Sequence, residues 1–111
     1  MEITTQELKH CDLIKVTGRV DSSTAPAFSK ALDKANEAGY FKIAIDMSEL
    51  EYMSSAGFRA LLASQRSCKR FNRGELVLVA VPERIREALE LAGFTELFKT
   101  FDDTITAVGS F

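Results

Sequence analysis

The chain has 111 residues, 46% of them hydrophobic and 27% charged, which is the composition of one folded domain and excludes a disordered tail. Fourteen basic against sixteen acidic side chains leave a formal net charge of −2, with no basic surplus for a nucleic-acid backbone. The longest apolar run, Leu76 to Val81, is far short of the ~20 residues that a bilayer-spanning helix needs.

The first elements read as a hairpin. Ile3 to Leu8 and Leu13 to Val20 are two extended segments separated by the polar stretch Lys9-His10-Cys11-Asp12. In the second, Ile14, Val16, Gly18 and Val20 alternate with Lys15, Thr17 and Arg19, the period of a half-buried strand. Asp21-Ser22-Ser23-Thr24 supplies N-cap residues, and Pro26 fits the first turn of a helix that carries Phe28, Leu32 and Ala35 inward and stops near Gly39. Phe41 to Met47 is a short apolar strand. A second helix opens at Tyr52-Met53-Ser54-Ser55-Ala56-Gly57, and Phe58, Leu61, Leu62, Gln65, Cys68 and Phe71 form its inward stripe until Gly74. Leu76 to Val81 has no alternation, as expected of a central strand covered on both faces. Pro82-Glu83 begins a third helix with Ile85 and Leu89 inward and Gly93 as its stop. A strand around Leu97 to Phe101 precedes a capped turn at Asp102-Asp103 with Ile105 and Val108. The order β-β-α-β-α-β-α-β-α predicts a single α/β domain over residues 1–111, with helices packed on a mixed central sheet.

Cysteine and histidine usage argues against catalysis and metal binding. Cys11 and Cys68 belong to no Cys-x-x-Cys pattern, and Cys68 reads as a buried thiol on a helix face. His10 is the only histidine, so the four ligands of a structural zinc site cannot be assembled around the His10-Cys11 pair. Neither a Gly-x-Ser-x-Gly elbow nor a phosphate-cradling loop occurs. The chain is not expected to be an enzyme, and it implies no metal or cofactor. Its first residues lack the layout of a signal peptide, which predicts a cytoplasmic location away from membranes.

The informative site is the start of the second helix. Gly57 just inside a helix costs about 1 kcal/mol relative to Ala, so something other than helix propensity accounts for it. Its lack of a side chain lets another group approach the helix end closely. A serine hydroxyl there is an N-cap, a phosphorylation acceptor, or both. Asp46, Glu49 and Glu51 make the approach acidic, and Tyr52, Met53 and Phe58 place bulky groups beside the serines. A phosphate would add about −1.5 to −2 charges to that patch, enough to repel a protein docked against it.

The run from Ile43 through Asp46, Met53, Ser54, Ser55, Ala56 and Gly57 to Leu62 resembles the signature of the STAS domain, the family of sulphate transporters and anti-sigma factor antagonists. Gly18-Arg19-Val20-Asp21-Ser22-Ser23-Thr24-Ala25 and Leu91-Ala92-Gly93-Phe94-Thr95-Glu96-Leu97-Phe98 are similar to its other two motifs, in the same order. The resemblance implies an anti-sigma factor antagonist that switches partners. The unphosphorylated form would bind an anti-sigma factor that is also a serine kinase of the histidine-kinase-like ATPase type. Phosphorylation would release it, and a protein-phosphatase-2C-like enzyme would reset it. In well-known members the acceptor directly precedes the glycine and follows Asp-Ser. Here Ala56 stands in the acceptor column and Ser54 in the Asp column, so the resemblance transfers the acceptor role to Ser55 first and Ser54 second. It also implies a partner-facing surface made of Asp21, Ser22, Ser23, Met53, Ser54, Ser55, Ala56, Gly57 and Phe58. Asp21 equally reads as a turn or capping residue. The missing acceptor at Ala56 supports an alternative, a non-phosphorylated scaffold or accessory subunit of a larger complex such as a lipid-transport ABC system.

Overall fold

Strand β2 (Asp12–Val20) organises the computed structural model, which describes residues 1–9, 11–37, 42–70 and 74–111. Its alternation is realised at Ile14, Val16 and Val20, buried on one face, with Lys15, Thr17 and Arg19 half-buried or exposed on the other; Gly18, expected on the inward face, is only half-buried because the register shifts beside it. β1 (Glu2–Glu7) pairs with β2 antiparallel, closing the expected hairpin. β3 (Lys42–Asp46) runs parallel to Asp12–Lys15, and β5 (Glu75–Val79) and β6 (Thr100–Phe101) continue the parallel sheet in the order β1-β2-β3-β5-β6. The predicted mixed sheet with helices packed on it is what forms.

The helices divide unequally between the two faces. Phe28 and Leu32 of α1 (Ala25–Glu37), Phe58, Leu61 and Cys68 of α2 (Ser55–Arg70), and Ile85 and Leu89 of α3 (Glu83–Leu91) meet Ile14, Val16, Ile43, Ile45, Leu76 and Leu78 in the main core. On the opposite face Ala107 of the short α4 (Thr104–Gly109) covers Ala44, Val77 and Val79. β5 is thus buried on both sides, which is why its sequence shows no alternation.

Several local readings change. Residues Leu50–Met53 form a four-residue strand, β4, that adds to the predicted order, so Tyr52 and Met53 precede α2 instead of opening it. Only Thr100 and Phe101 of the last predicted strand are extended, and Thr95–Leu97 is a 3-10 turn. Asp12 belongs to β2 and, with Cys11, is buried instead of lying in an exposed turn. Ile105 points outward, 86% exposed. The predicted His10, Gly39, Phe41 and Phe71 positions lie outside the described residues.

Buried polar groups are mostly matched. Gln65, on the inward stripe of α2, donates through Nε2 to the carbonyls of Leu76 (3.0 Å) and Leu97 (2.8 Å), and its Oε1 accepts from the Leu76 N–H (2.8 Å). One side chain therefore ties α2 to the start of strand β5 and to the segment entering β6. Burial pushes the Cys68 thiol up to about 11, in keeping with an inert core thiol. Replacing Gln65 by Leu leaves a buried N–H and two carbonyls without partners and should lower stability by about 3 kcal/mol in denaturant unfolding. A loss below about 1 kcal/mol would show that the three bonds add little.

Candidate functional site

The site forms where two parallel strands end side by side. β4 pairs with the last residues of β2, Val20 opposite Met53 and Arg19 opposite Tyr52. The register shifts between Gly18 and Arg19, and Gly18 sits at φ +91°, a conformation suited to glycine that lets the strand bulge there. The ladder ends where the Ser54 N–H donates to the Val20 carbonyl at 2.7 Å. The turn after β2 and the turn after β4 are thereby fixed next to each other, although far apart in sequence.

The first turn is built on Asp21. Its Oδ1 accepts from the Ser23 N–H (3.0 Å), the Ser23 hydroxyl (2.7 Å), the Thr24 N–H (3.1 Å) and the Thr24 hydroxyl (3.2 Å). In return the Asp21 N–H donates to Thr24 Oγ1 at 2.8 Å, and the Phe28 N–H donates to the Thr24 carbonyl to start α1. These bonds, that from the Ser23 hydroxyl foremost, hold the Asp21 carboxyl below its ordinary value. The turn reading of Asp21 is realised, whereas the residue that directly precedes α1 is Thr24. Ser22 and Ser23 are exposed at the tip.

In the second turn the two serines do different work. Ser54 is the N-cap of α2: its carbonyl accepts from the Phe58 N–H (3.1 Å), and its Oγ accepts a long bond from the Gly57 N–H (3.4 Å). Ser55 is the first helical residue, is exposed, and its hydroxyl makes no hydrogen bond among the described residues. Ala56 is half-buried behind it. Met53, Gly57 and Phe58 are buried, so they carry the corner from beneath. Phe58 packs edge-to-face on Phe94, with ring centroids 6.5 Å apart.

The anomaly at Gly57 has a direct cause. A Cβ at this position would lie 2.6 Å from Met53 Cγ and 2.9 Å from Val20 Cγ1. The methionine could move, but the β-branched valine in the core could not do so cheaply. Glycine thus allows α2 to begin directly on top of the β2–β4 pair.

The surroundings are less uniformly acidic than the local sequence predicts. Lys15 Nζ lies 3.5 Å from Glu49 Oε2, and the Arg19 guanidinium stacks over the Tyr52 ring at 4.5 Å. Both cations come from β2 and were invisible from the 46–58 segment alone; only the strand pairing brings them in. Asp46 Oδ1 is engaged by the Ser48 N–H (2.9 Å), while Glu51 is exposed. Among the described residues no group of three His, Cys, Asp or Glu side chains is placed to hold a metal, and no helix is long and apolar enough to cross a membrane.

Comparisons with known proteins agree with this architecture. A family model described as "Mlab, STAS domain" matches residues 3–99. A Bordetella bronchiseptica protein whose name contains "anti-sigma factor antagonist", BtrV, is 27% identical over 111 residues, covering 100% of this chain and 95% of its own. An anti-sigma factor antagonist from Mycobacterium paratuberculosis superposes with a TM-score of 0.87 at 22% identity, covering 98% of this chain and 92% of that one. The unphosphorylated anti-sigma factor antagonist SpoIIAA superposes at 0.84 and its phosphorylated Bacillus form at 0.77, each 15% identical and covering 98% of this chain and 95% and 98% of theirs. These relatives are named as regulators, in keeping with the expectation that the chain is not an enzyme.

Replacing Gly57 by Ala tests the corner. Helix propensity favours alanine by about 1 kcal/mol, whereas the clash with Val20 and Met53 should cost about 1–3 kcal/mol, for a net loss of up to about 2 kcal/mol. The variant should therefore be destabilised in thermal or urea unfolding; a stabilised variant would refute the packing account. With the family model spanning residues 3–99 and the strand-to-helix corner in place, the chain belongs to the STAS domain family.

Proposed function

We propose that the chain is an anti-sigma factor antagonist whose docking is switched off by phosphorylation of Ser55. The observation that carries this reading is the division of labour between the two serines. The Ser54 hydroxyl is committed to capping α2, whereas the Ser55 hydroxyl is exposed and unengaged among the described residues. The names of the relatives support the antagonist role, and SpoIIAA is a structural neighbour in both an unphosphorylated and a phosphorylated form.

In this reading the partner is an anti-sigma factor with serine-kinase activity, of the histidine-kinase-like ATPase type. It docks over the Asp21–Ser23 and Ser54–Ser55 turns. Ser55 Oγ attacks the γ-phosphorus of ATP, the bond to the ADP oxygen breaks, and the hydroxyl proton passes to a base on the kinase. A protein-phosphatase-2C-like enzyme hydrolyses the ester and returns the free hydroxyl. The physics favours a switch of docking over a switch of folding. A phosphate at the first position of α2 sits on the positive end of the helix dipole, where an anion is stabilised by about 0.3–1 kcal/mol. Arg59, also exposed, stands four residues along the same helix face. The added −1.5 to −2 charges (approximate, near pH 7) are therefore tolerated by the domain, but not by a partner surface shaped for a neutral hydroxyl.

The alternative, a non-phosphorylated STAS scaffold such as the accessory subunit of a lipid-transport ABC system, is favoured by Ala56 standing where well-known members carry the acceptor. A kinase reaction separates the two. With ATP and the cognate anti-sigma factor kinase, mass spectrometry should find one phosphate, on Ser55. Ser55→Ala should abolish incorporation; Ser54→Ala should retain it while losing about 1 kcal/mol of stability with its cap. Phosphate on Ser54 alone, or none from a demonstrably active kinase, would overturn the assignment.

A further inference from the structure

Toward the opposite end of β2 from the α2 corner, a cleft of about 950 Å³ opens between edge strand β1 and helix α1. Its apolar lining comes from Ile3 and from Ala27, Ala31 and Ala35, which recur every fourth residue along one face of α1. Three carboxylates and two lysines also line it: Glu7, Asp12 and Glu37 against Lys30 and Lys34.

Asp12 is the unusual member. It is only 2% exposed, and among the described residues its Oδ1 has no hydrogen-bond partner. Its direct cross-strand partner in the β1–β2 ladder is Glu7, so two carboxylates oppose each other across the pair. Burial, then Glu7, pushes the Asp12 carboxyl above its ordinary value. Among the described residues neither Lys30 nor Lys34 forms an ion pair; the two that exist are Lys15–Glu49 and Lys99–Glu75. A buried, unpartnered carboxylate facing a like charge is destabilising, and apolar packing alone does not require it. What this arrangement lacks, among the described residues, is a cation paired with Asp12, since neither lining lysine bonds it.

We infer that the cleft between β1 and α1 binds a small amphipathic organic cation, its ammonium or guanidinium head paired with Asp12 and Glu7 and its alkyl body lying along Ile3, Ala27 and Ala31. A guanidinium or ammonium donates charge-assisted hydrogen bonds to the unpaired carboxylate and offsets the opposition of Glu7. An organic cation fits better than a metal ion, because no set of three metal-ligating side chains converges here among the described residues. The rim side chains Lys30, Lys34 and Glu37 are exposed, so they can swing aside to admit the head to Asp12 and Glu7.

Two-dimensional amide NMR on the intact chain tests this, with n-hexylguanidinium as the probe and 1-hexanol as its neutral counterpart. The cation should give saturating shifts at Ile3, Thr5, Asp12, Ala27 and Ala31 and leave the Ser54–Ser55 turn unmoved. Asp12→Asn should weaken it at least about tenfold, the loss of one charge-assisted pair. Ala31→Leu, which fills the cleft without touching the carboxylates, should weaken it comparably, and it keeps the test open should Asp12→Asn fail to fold. Equal affinity for hexanol, unchanged affinity in either folded variant, or shifts scattered without saturation would overturn the assignment.

Discussion

The hydrogen bond from the Ser54 N–H to the Val20 carbonyl, at 2.7 Å, is the join on which the functional corner depends. It terminates the β2–β4 ladder, fixes the Asp21 and Ser54 turns beside each other, and leaves the Ser54 side chain free to cap α2. In a capping box a Glu or Gln at the third helical position would satisfy the cap residue's N–H. That position is Gly57 here, because a side chain would collide with Val20 and Met53, so the neighbouring strand supplies the acceptor instead. One packing constraint therefore selects the glycine, the cap and the strand partner together.

The same constraint separates rigidity from reactivity. Val20, Met53, Gly57 and Phe58 form a dry floor, and above it stand the groups that meet water: Ser22, Ser23 and Ser55. A charge added at Ser55 enters at the surface of a well-packed helix end, where the dipole offsets part of its cost. Its effect falls on whatever is docked there, where desolvating a phosphate opposite an unprepared surface costs several times more than the helix end returns. Lys15 and Arg19 temper the local negative potential but do so through a surface ion pair and a cation–π contact, each worth about 1 kcal/mol or less.

Much of this was legible because the large elements carry their burial in their periodicity. β2 alternates, β5 does not, and α2 shows an apolar stripe broken by Gln65, whose burial turned out to be satisfied by three backbone bonds. Gly57 announced itself through its propensity cost, although the groups responsible, Val20 and Met53, could not be named from spacing. β4 was missed because its buried ends, Leu50 and Met53, stand three residues apart, which is helical and not strand spacing. Arg19 over Tyr52, and the opposition of Glu7 to Asp12, are products of strand register, which local sequence does not encode. Ile105 shows the converse: on a helix of six residues a single buried position, Ala107, suffices, and the larger residue is left outside.

The central claim is that one ester at the first residue of α2 controls docking. Calorimetric titration of the cognate anti-sigma factor with the chain carrying phosphoserine at position 55, and separately with the unmodified chain, measures it without relying on mimics. The account predicts binding at least about tenfold weaker for the phosphorylated chain, with unchanged thermal stability. Equal affinities for the two forms, or a phosphorylated chain that binds weakly only because it has unfolded, would contradict it.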